Sequence, residues 1–333
     1  KKSANLMDGL SSASFKKIGD SHAAGAVKRV TGVSVEGGKY VYVRGLGDRY
    51  TKTILNSVDI PGLDPDRNSL QIDIFPTNLL NNMVILKSAT ANLSADFTGG
   101  LVNIETKDFP EEQIFDVSVG ISYNPSMHFN SQALTYEGSS TDWLGFDTDL
   151  RQIPSNVDNQ DLPFASIDEG QEVLATSKSF SQVLAATEQT NLMNYSVGLS
   201  FGNQKNFNNG NSLGYILSGT YKRDYEFYQD VFYGEYQKKN EVDAFDFGLT
   251  TTRTGAYATE AVLLGGLGGL AFKTQNSKYR LSIMHLQNGE KKAASLDIIS
   301  DDGADDFDPR LVSDYIGISN NLEYGQRGLT NFF

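Results

Sequence analysis

The 333-residue sequence predicts a membrane all-β protein: a small N-terminal α+β domain, then the opening strands of a large antiparallel transmembrane β-barrel. Three observations predict it. Segments after residue 110 alternate apolar and small polar residues with period two. The connections between these segments alternate between long and short, as in an up-and-down outer-membrane barrel. Charge divides the chain into two chemically different parts: residues 1–110 carry 13 Lys+Arg against 11 Asp+Glu, and the remaining 223 carry 15 against 30.

In chain order, residues 1–19 read as a lead-in segment, 20–110 as the α+β domain and 111–333 as the barrel portion. Asp20 or Ser21 caps a short helix through Ala23, Ala24, Ala26, Val27 and Val30. Strands are expected at 40–44, 53–56, 83–88 and 101–106, with a short helix near 76–81. Gly45 and Gly47 permit a turn that side chains would obstruct, and Gly99-Gly100 let the backbone pass close to a neighbouring wall. A phosphate cradle is a poor reading of Gly45-Leu46-Gly47, because the glycine spacing breaks off and no helix follows. Arg44, Asp48 and Arg49 are expected as a buried polar network between this domain and the barrel wall.

The first barrel strand places Phe115, Val117, Val119, Ile121 and Tyr123 on one face, and the second does the same with Tyr195, Val197, Leu199 and Phe201. In the third, Leu213, Tyr215, Leu217 and Tyr221 share a face, with Ile216 out of phase. The fourth, about 260–273, has ambiguous facing because Gly265, Gly266, Gly268 and Gly269 erase the pattern, and the fifth presents Tyr279, Leu281 and Ile283. A soluble sandwich also alternates. Here the opposite face is Gly and Ser rather than Lys and Glu, as expected of strands lining a filled lumen, and aromatics recur near strand ends where a girdle meets headgroups. Long loops are expected at about 126–192, 226–258 and 289–321, and they hold most of the acidic excess. With long loops outside and tight turns on the periplasmic side, those carboxylates face the external medium. Five or six strands leave an open edge that lipid does not tolerate, so the barrel is expected to continue past the sixth strand begun around Leu329–Phe333.

No stretch approaches the roughly 18 apolar residues of a spanning helix. There are no cysteines for disulfides or thiolate metal sites, and no basic stripe for nucleic acid. No His-Glu-x-x-His, nucleophile elbow or other catalytic constellation occurs, so an enzyme is not expected.

Several motifs of the first part resemble those of TonB-dependent outer-membrane receptors. They are Arg44-Gly45-Leu46-Gly47-Asp48-Arg49-Tyr50, Leu55-Asn56-Ser57, Asp64-Pro65-Asp66-Arg67 and Phe97-Thr98-Gly99-Gly100-Leu101-Val102-Asn103-Ile104 with Lys107-Asp108-Phe109-Pro110. The resemblance covers about 110 residues in order, and barrel strands begin directly after it. It implies a plug domain inside a barrel of about 22 strands, of which this chain holds the first five or six. It further implies active uptake of a bulky nutrient (a ferric chelate, oligosaccharide, peptide or corrinoid) across the bacterial outer membrane, with the plug toward the periplasm. The implied partners are outer-membrane lipid, the inner-membrane TonB energy-coupling protein and a surface lipoprotein or other outer-membrane subunits. No coupling segment is recognisable in 1–19. The alternative reading is a plugged barrel serving as a structural or assembly subunit of an outer-membrane complex.

Substrate contacts are expected at the plug apices, Gly47, Asp48, Arg49 and Tyr50 on one and Asp64, Asp66 and Arg67 on the other, with Arg44, Gly45, Gly99 and Gly100 as structural motif residues. Asp301, Asp302, Asp305, Asp306 and Asp308 offer the several carboxylates that a calcium ion needs, without the acidic twelfth position of an EF-hand; no other cofactor is expected. His22, His128 and His285 lack metal-ligand spacing and read as surface or lumen histidines. Phe227, Tyr228, Phe232, Tyr233 and Tyr236 suit stacking on a planar ligand or a strand top in the aromatic girdle.

Overall fold

A computed structural model describes residues 6–18, 23–36, 38–47, 50–60, 71–75, 77–88, 93, 98–107, 113–148, 150–157, 170–238, 245–300 and 315–332. The N-terminal domain comprises β1 (Met7–Ser11), α1 (Ser12–Ile18), α2 (Ala23–Val27), β2 (Val33–Glu36), β3 (Tyr40–Val43), β4 (Thr51–Leu55), β5 (Val58–Asp59), β6 (Leu80–Leu86) and β7 (Gly100–Thr106). Five strands form a sheet in the order β1-β6-β7-β4-β5, with β4 and β7 parallel and the other pairs antiparallel, and β2 and β3 make a separate hairpin.

Residues 7–18, expected as lead-in, belong to this domain. β1 runs antiparallel along β6, and α1 sends Phe15 into the core. Four of the five β1 residues are exposed, so an edge strand of this kind carries no alternation for a sequence reading to detect. α2 is short because its role is close packing: Ala23, Ala24, Ala26 and Val27 are fully buried, and the Ala23 amide donates to the Phe75 carbonyl at 2.8 Å. In β4 the alternation is strict, with Thr51, Thr53 and Leu55 buried.

The second part comprises β8 (Ile114–Ser122), β9 (Leu134–Thr135), α3 (Gly170–Ser179), β10 (Thr187–Glu188), β11 (Asn194–Asn206), β12 (Ser212–Lys238), β13 (Phe247–Lys273), β14 (Lys278–Ser300) and β15 (Tyr315–Phe332). Six strands form an open antiparallel sheet ordered β15-β14-β13-β12-β11-β8, each beside its neighbour in the chain. β9 and β10 pair with each other inside the connection between β8 and β11. One face of the large sheet exposes Phe115, Val119, Leu199, Leu217, Leu281 and their neighbours. The other buries Ser200, Ser218, Met284 and Leu286. The glycine-rich segment of β13 turns Leu263, Leu267 and Ala271 inward and leaves Leu270 and Phe272 outward.

Two expected loops are largely strand. β12 and β13 stay paired from Ser212↔Lys273 out to Lys238↔Phe247, so 226–238 and 247–258 are a hairpin extension rather than irregular loop. The residues are β-formers, among them Tyr228, Val231, Phe232, Thr251 and Thr252. The apparent loss of period at Gln229-Asp230 is a register shift between Tyr228 and Val231, which changes the phase without ending the strand. β14 likewise runs to Ser300, into the span expected as loop 289–321. At about 3.3 Å per residue the 27-residue β12 is roughly 90 Å long, well over the roughly 9–11 residues that a barrel strand needs to cross a bilayer.

The domain sits against the buried face of the large sheet. Ile72, Ile74, Phe75 and Leu79 belong to the same apolar cluster as Leu263, Leu267, Met284 and Leu286.

Candidate functional site

The interface between the N-terminal domain and the inner face of the sheet holds both the packing and the charge that could fix or release one against the other. Lys39 lies in the turn before β3, and its backbone carbonyl accepts the Ile72 amide at 3.0 Å, which ties that turn to the 3-10 turn Ile72–Ile74. Asp73 occupies the middle of the 3-10 turn, flanked by two buried isoleucines. From the sheet, β14 contributes Asn288, Glu290 and Lys292 on alternate residues, which places them on one face. β15 contributes Arg327, paired in register with Asn288.

Some ion pairs cross the interface and others join residues within the sheet. Lys39 Nζ lies 2.5 Å from Glu290 Oε2, and Arg327 Nη2 lies 3.4 Å from Asp73 Oδ2 and 3.5 Å from Glu290 Oε2. Lys292 Nζ reaches the other Glu290 oxygen at 3.4 Å and Glu323 at 3.0 Å. Arg327 Nε donates to Asn288 Oδ1 at 2.8 Å, which fixes the guanidinium plane. Burial pushes the Asp73 carboxyl above the usual carboxylate range, with Arg327 and Lys39 only partly opposing it, and its Oδ1 has no hydrogen-bond partner. Beside these groups lies a cavity of about 370 Å³, lined by Lys28, Lys222, Asp224, Glu226 and Tyr257 together with the ion-pair residues. Chemically the arrangement is a charge-balanced seam beside an apolar contact, and it holds by non-covalent bonds alone.

The glycine motifs come together in space within the domain. Val43 and Leu46 bond each other through both backbone groups, at 3.2 and 3.0 Å, around a two-residue turn in which Arg44 (φ 56°) and Gly45 (φ 76°) are both left-handed. A Cβ on Gly100 would lie 2.6 Å from Val43 Cγ2, and one on Gly99 would lie 3.0 Å from the Tyr50 carbonyl oxygen, which accepts the Gly99 amide at 2.8 Å. The wall that Gly99-Gly100 approach is therefore the domain's own hairpin. A Cβ on Gly47 would press on the Tyr42 ring at 2.9 Å. The Arg44 side chain is exposed, so the expected buried network does not include it: a left-handed turn residue points its side chain to solvent. Tyr50 is exposed and Gly47 half-buried. Asp48, Arg49, Asp64, Asp66 and Arg67, and the acidic run Asp301, Asp302, Asp305, Asp306 and Asp308, lie outside the described residues.

Sequence reasoning missed Lys39, Asp73, Glu290 and Arg327. A signal existed for one of them: Asp73 is a lone charge in the apolar run Ile72-Asp73-Ile74-Phe75. Glu290 and Lys292 were hidden by the early end assigned to β14.

The family model described as the TonB-dependent Receptor Plug Domain matches residues 1–101. No curated protein sequence matches the chain. Among solved structures, the chain is similar to the siderophore receptor PirA from Acinetobacter baumannii, at 13% identity and TM-score 0.32, covering 90% of this chain and 59% of that one. It is also similar to PirA from Pseudomonas aeruginosa, at 11% identity and TM-score 0.32, covering 100% and 56%, and to the ferric citrate transporter FecA in its unliganded form, at 10% identity and TM-score 0.39, covering 99% and 57%. The chain thus spans less than two thirds of the length of these structures. The α+β fold seated on the inner face of the antiparallel sheet is thus the part of this chain that matches the plug-domain model.

Proposed function

We propose that the chain supplies the gate and the first part of the wall of a TonB-dependent outer-membrane transporter for a bulky nutrient, whether ferric chelate, oligosaccharide, peptide or corrinoid. The observation that carries this reading is the seam itself. The plug is held on the inner face by an apolar contact and by the Lys39–Glu290 pair, with Asp73 and Arg327 meeting across the same seam and a cavity beside them. Such a seam closes a lumen and still opens under load. In this reading an inner-membrane energy-coupling protein acts on the plug from the periplasm, and the long β12–β13 extension stands on the external side with the acidic connections.

The test is uptake by whole cells. Deleting the gene should abolish accumulation of one class of labelled substrate, and restoring the full-length gene should recover it only where the coupling protein is intact. Undiminished accumulation of every candidate class in the deletion strain refutes transport and favours a structural subunit.

A further inference from the structure

The connection between β8 and β11 does not rise freely from the sheet; part of it folds back onto the outer, apolar-bearing face. Its 3-10 turn Asp142–Leu144 packs on β13 and β14. Tyr221 donates its hydroxyl to the Trp143 carbonyl at 2.8 Å, and Gln287 Nε2 donates to the Gly145 carbonyl at 2.6 Å. Gly145 (φ 80°) and Gly289 meet backbone to backbone, since a Cβ on Gly145 would lie 2.9 Å from the Gly289 nitrogen. The turn is held rigidly. Arg151 donates to both Asp142 oxygens at 2.8 and 2.7 Å and to Asp147 at 2.6 Å, and its guanidinium stacks 4.1 Å over the Tyr324 ring. The Asp142 and Asp147 carboxylates outweigh the cost of burial and hold the Arg151 charge firmly in place.

The height of this contact is what matters. Counted from the tight turns, Tyr221 is the tenth residue of β12 (from Ser212) and Gln287 the tenth of β14 (from Lys278). A barrel strand crosses the hydrocarbon in about 9–11 residues. The outer face changes at the same level: below it stand Leu217, Leu281 and Ile283, exposed, and above it the charged Arg223, Glu260 and Lys291 enter among Tyr225 and Phe227, all covered by the connection. Trp143 is held at that border, and 52% of it is exposed. An indole, apolar with a single N–H, is most favourably placed where acyl chains meet headgroups.

We propose that the Asp142–Gly145 turn is a membrane-surface foot, with Trp143 seated in the headgroup layer of the bilayer. The partner is bilayer lipid, continuous with the lipid belt of the strands beneath. This rests on the transmembrane reading of β11–β15. Trp143 bonds the sheet through its backbone, so Trp143→Phe leaves those bonds in place.

The full-length protein is reconstituted in phosphatidylcholine vesicles carrying bromine either near the carbonyl end or near the methyl end of the acyl chains. The difference in fluorescence between parent and Trp143→Phe isolates this indole. It should be blue-shifted, lose most intensity with the shallow bromines, less with the deep ones, and little with aqueous iodide. Quenching by iodide without quenching by brominated lipid overturns the foot, as does stronger quenching by the deep bromines. Leu281→Trp in the Trp143→Phe background serves as the reference. If it is quenched by brominated lipid while Trp143 is not, only the foot is wrong; if it is not quenched either, the transmembrane reading fails and the foot with it.

Discussion

Replacing Glu290 by alanine removes a carboxylate that Lys39, Lys292 and Arg327 share, and the consequence follows from how little solvent reaches it. The Glu290 side chain is 12% exposed, Arg327 12% and Lys39 28%. At an effective dielectric of about 20, two unit charges 4 Å apart attract by about 4 kcal/mol, and desolvation takes back a large part of that. A coupling of about 1–3 kcal/mol between Lys39 and Glu290 is expected, a factor of roughly 5–150 in the equilibrium for releasing the plug from the wall. The assay is a double-mutant cycle of Lys39→Ala, Glu290→Ala and the pair, read by hydrogen exchange of the plug amides in the full-length protein held in detergent. Exchange through plug release should speed up in each single variant, and the double variant should lose less than the sum. Additivity within about 0.5 kcal/mol would refute the claim that this pair joins plug to wall.

Other consequences are as direct. Gly100→Ala drives a methyl to within 2.6 Å of Val43 and should destabilise the plug by about 1–3 kcal/mol, visible as a lower unfolding midpoint of the plug with the sheet unaffected. Arg151→Met leaves Asp142 and Asp147 facing each other without their cation; proteolysis should then cut the connection between β8 and β11 faster while leaving the strands intact, and unchanged cutting would sink the clamp. Asp73→Asn tests linkage. Because the folded-state carboxyl lies above its unfolded value, the ionised form costs stability at pH above the folded pKa, and the cost disappears as pH falls below the unfolded value of 3.8. The difference in plug protection between Asp73→Asn and parent should therefore move in favour of the variant as pH rises, and a flat difference contradicts it.

Legibility in the sequence followed local physics. Period-two alternation marked the exposed apolar face of β8, β11 and the first halves of β12 and β14, because successive side chains of a strand point to opposite faces of the sheet. The glycines of Arg44–Tyr50 and of Gly99-Gly100 were legible as turn and close approach, because backbone conformation and missing Cβ atoms are properties of single positions. Farther along the strands alternation stopped being diagnostic: the outer face of β14 past Gln287 mixes polar with apolar residues beneath another segment, and the register shift after Tyr228 reversed the phase of β12. An edge strand such as β1, exposed on both faces, had no pattern to offer.

The sequence by itself determined the two-part organisation, the glycine motifs and the exposed apolar side of the strands, since each depends on residues within a few positions of one another. Only the tertiary structure decided which charges meet across the plug–wall seam and where Trp143 rests. Lys39 and Glu290 stand 251 residues apart, and no local rule couples them; the register of β14 and the seat of the plug bring them to 2.5 Å.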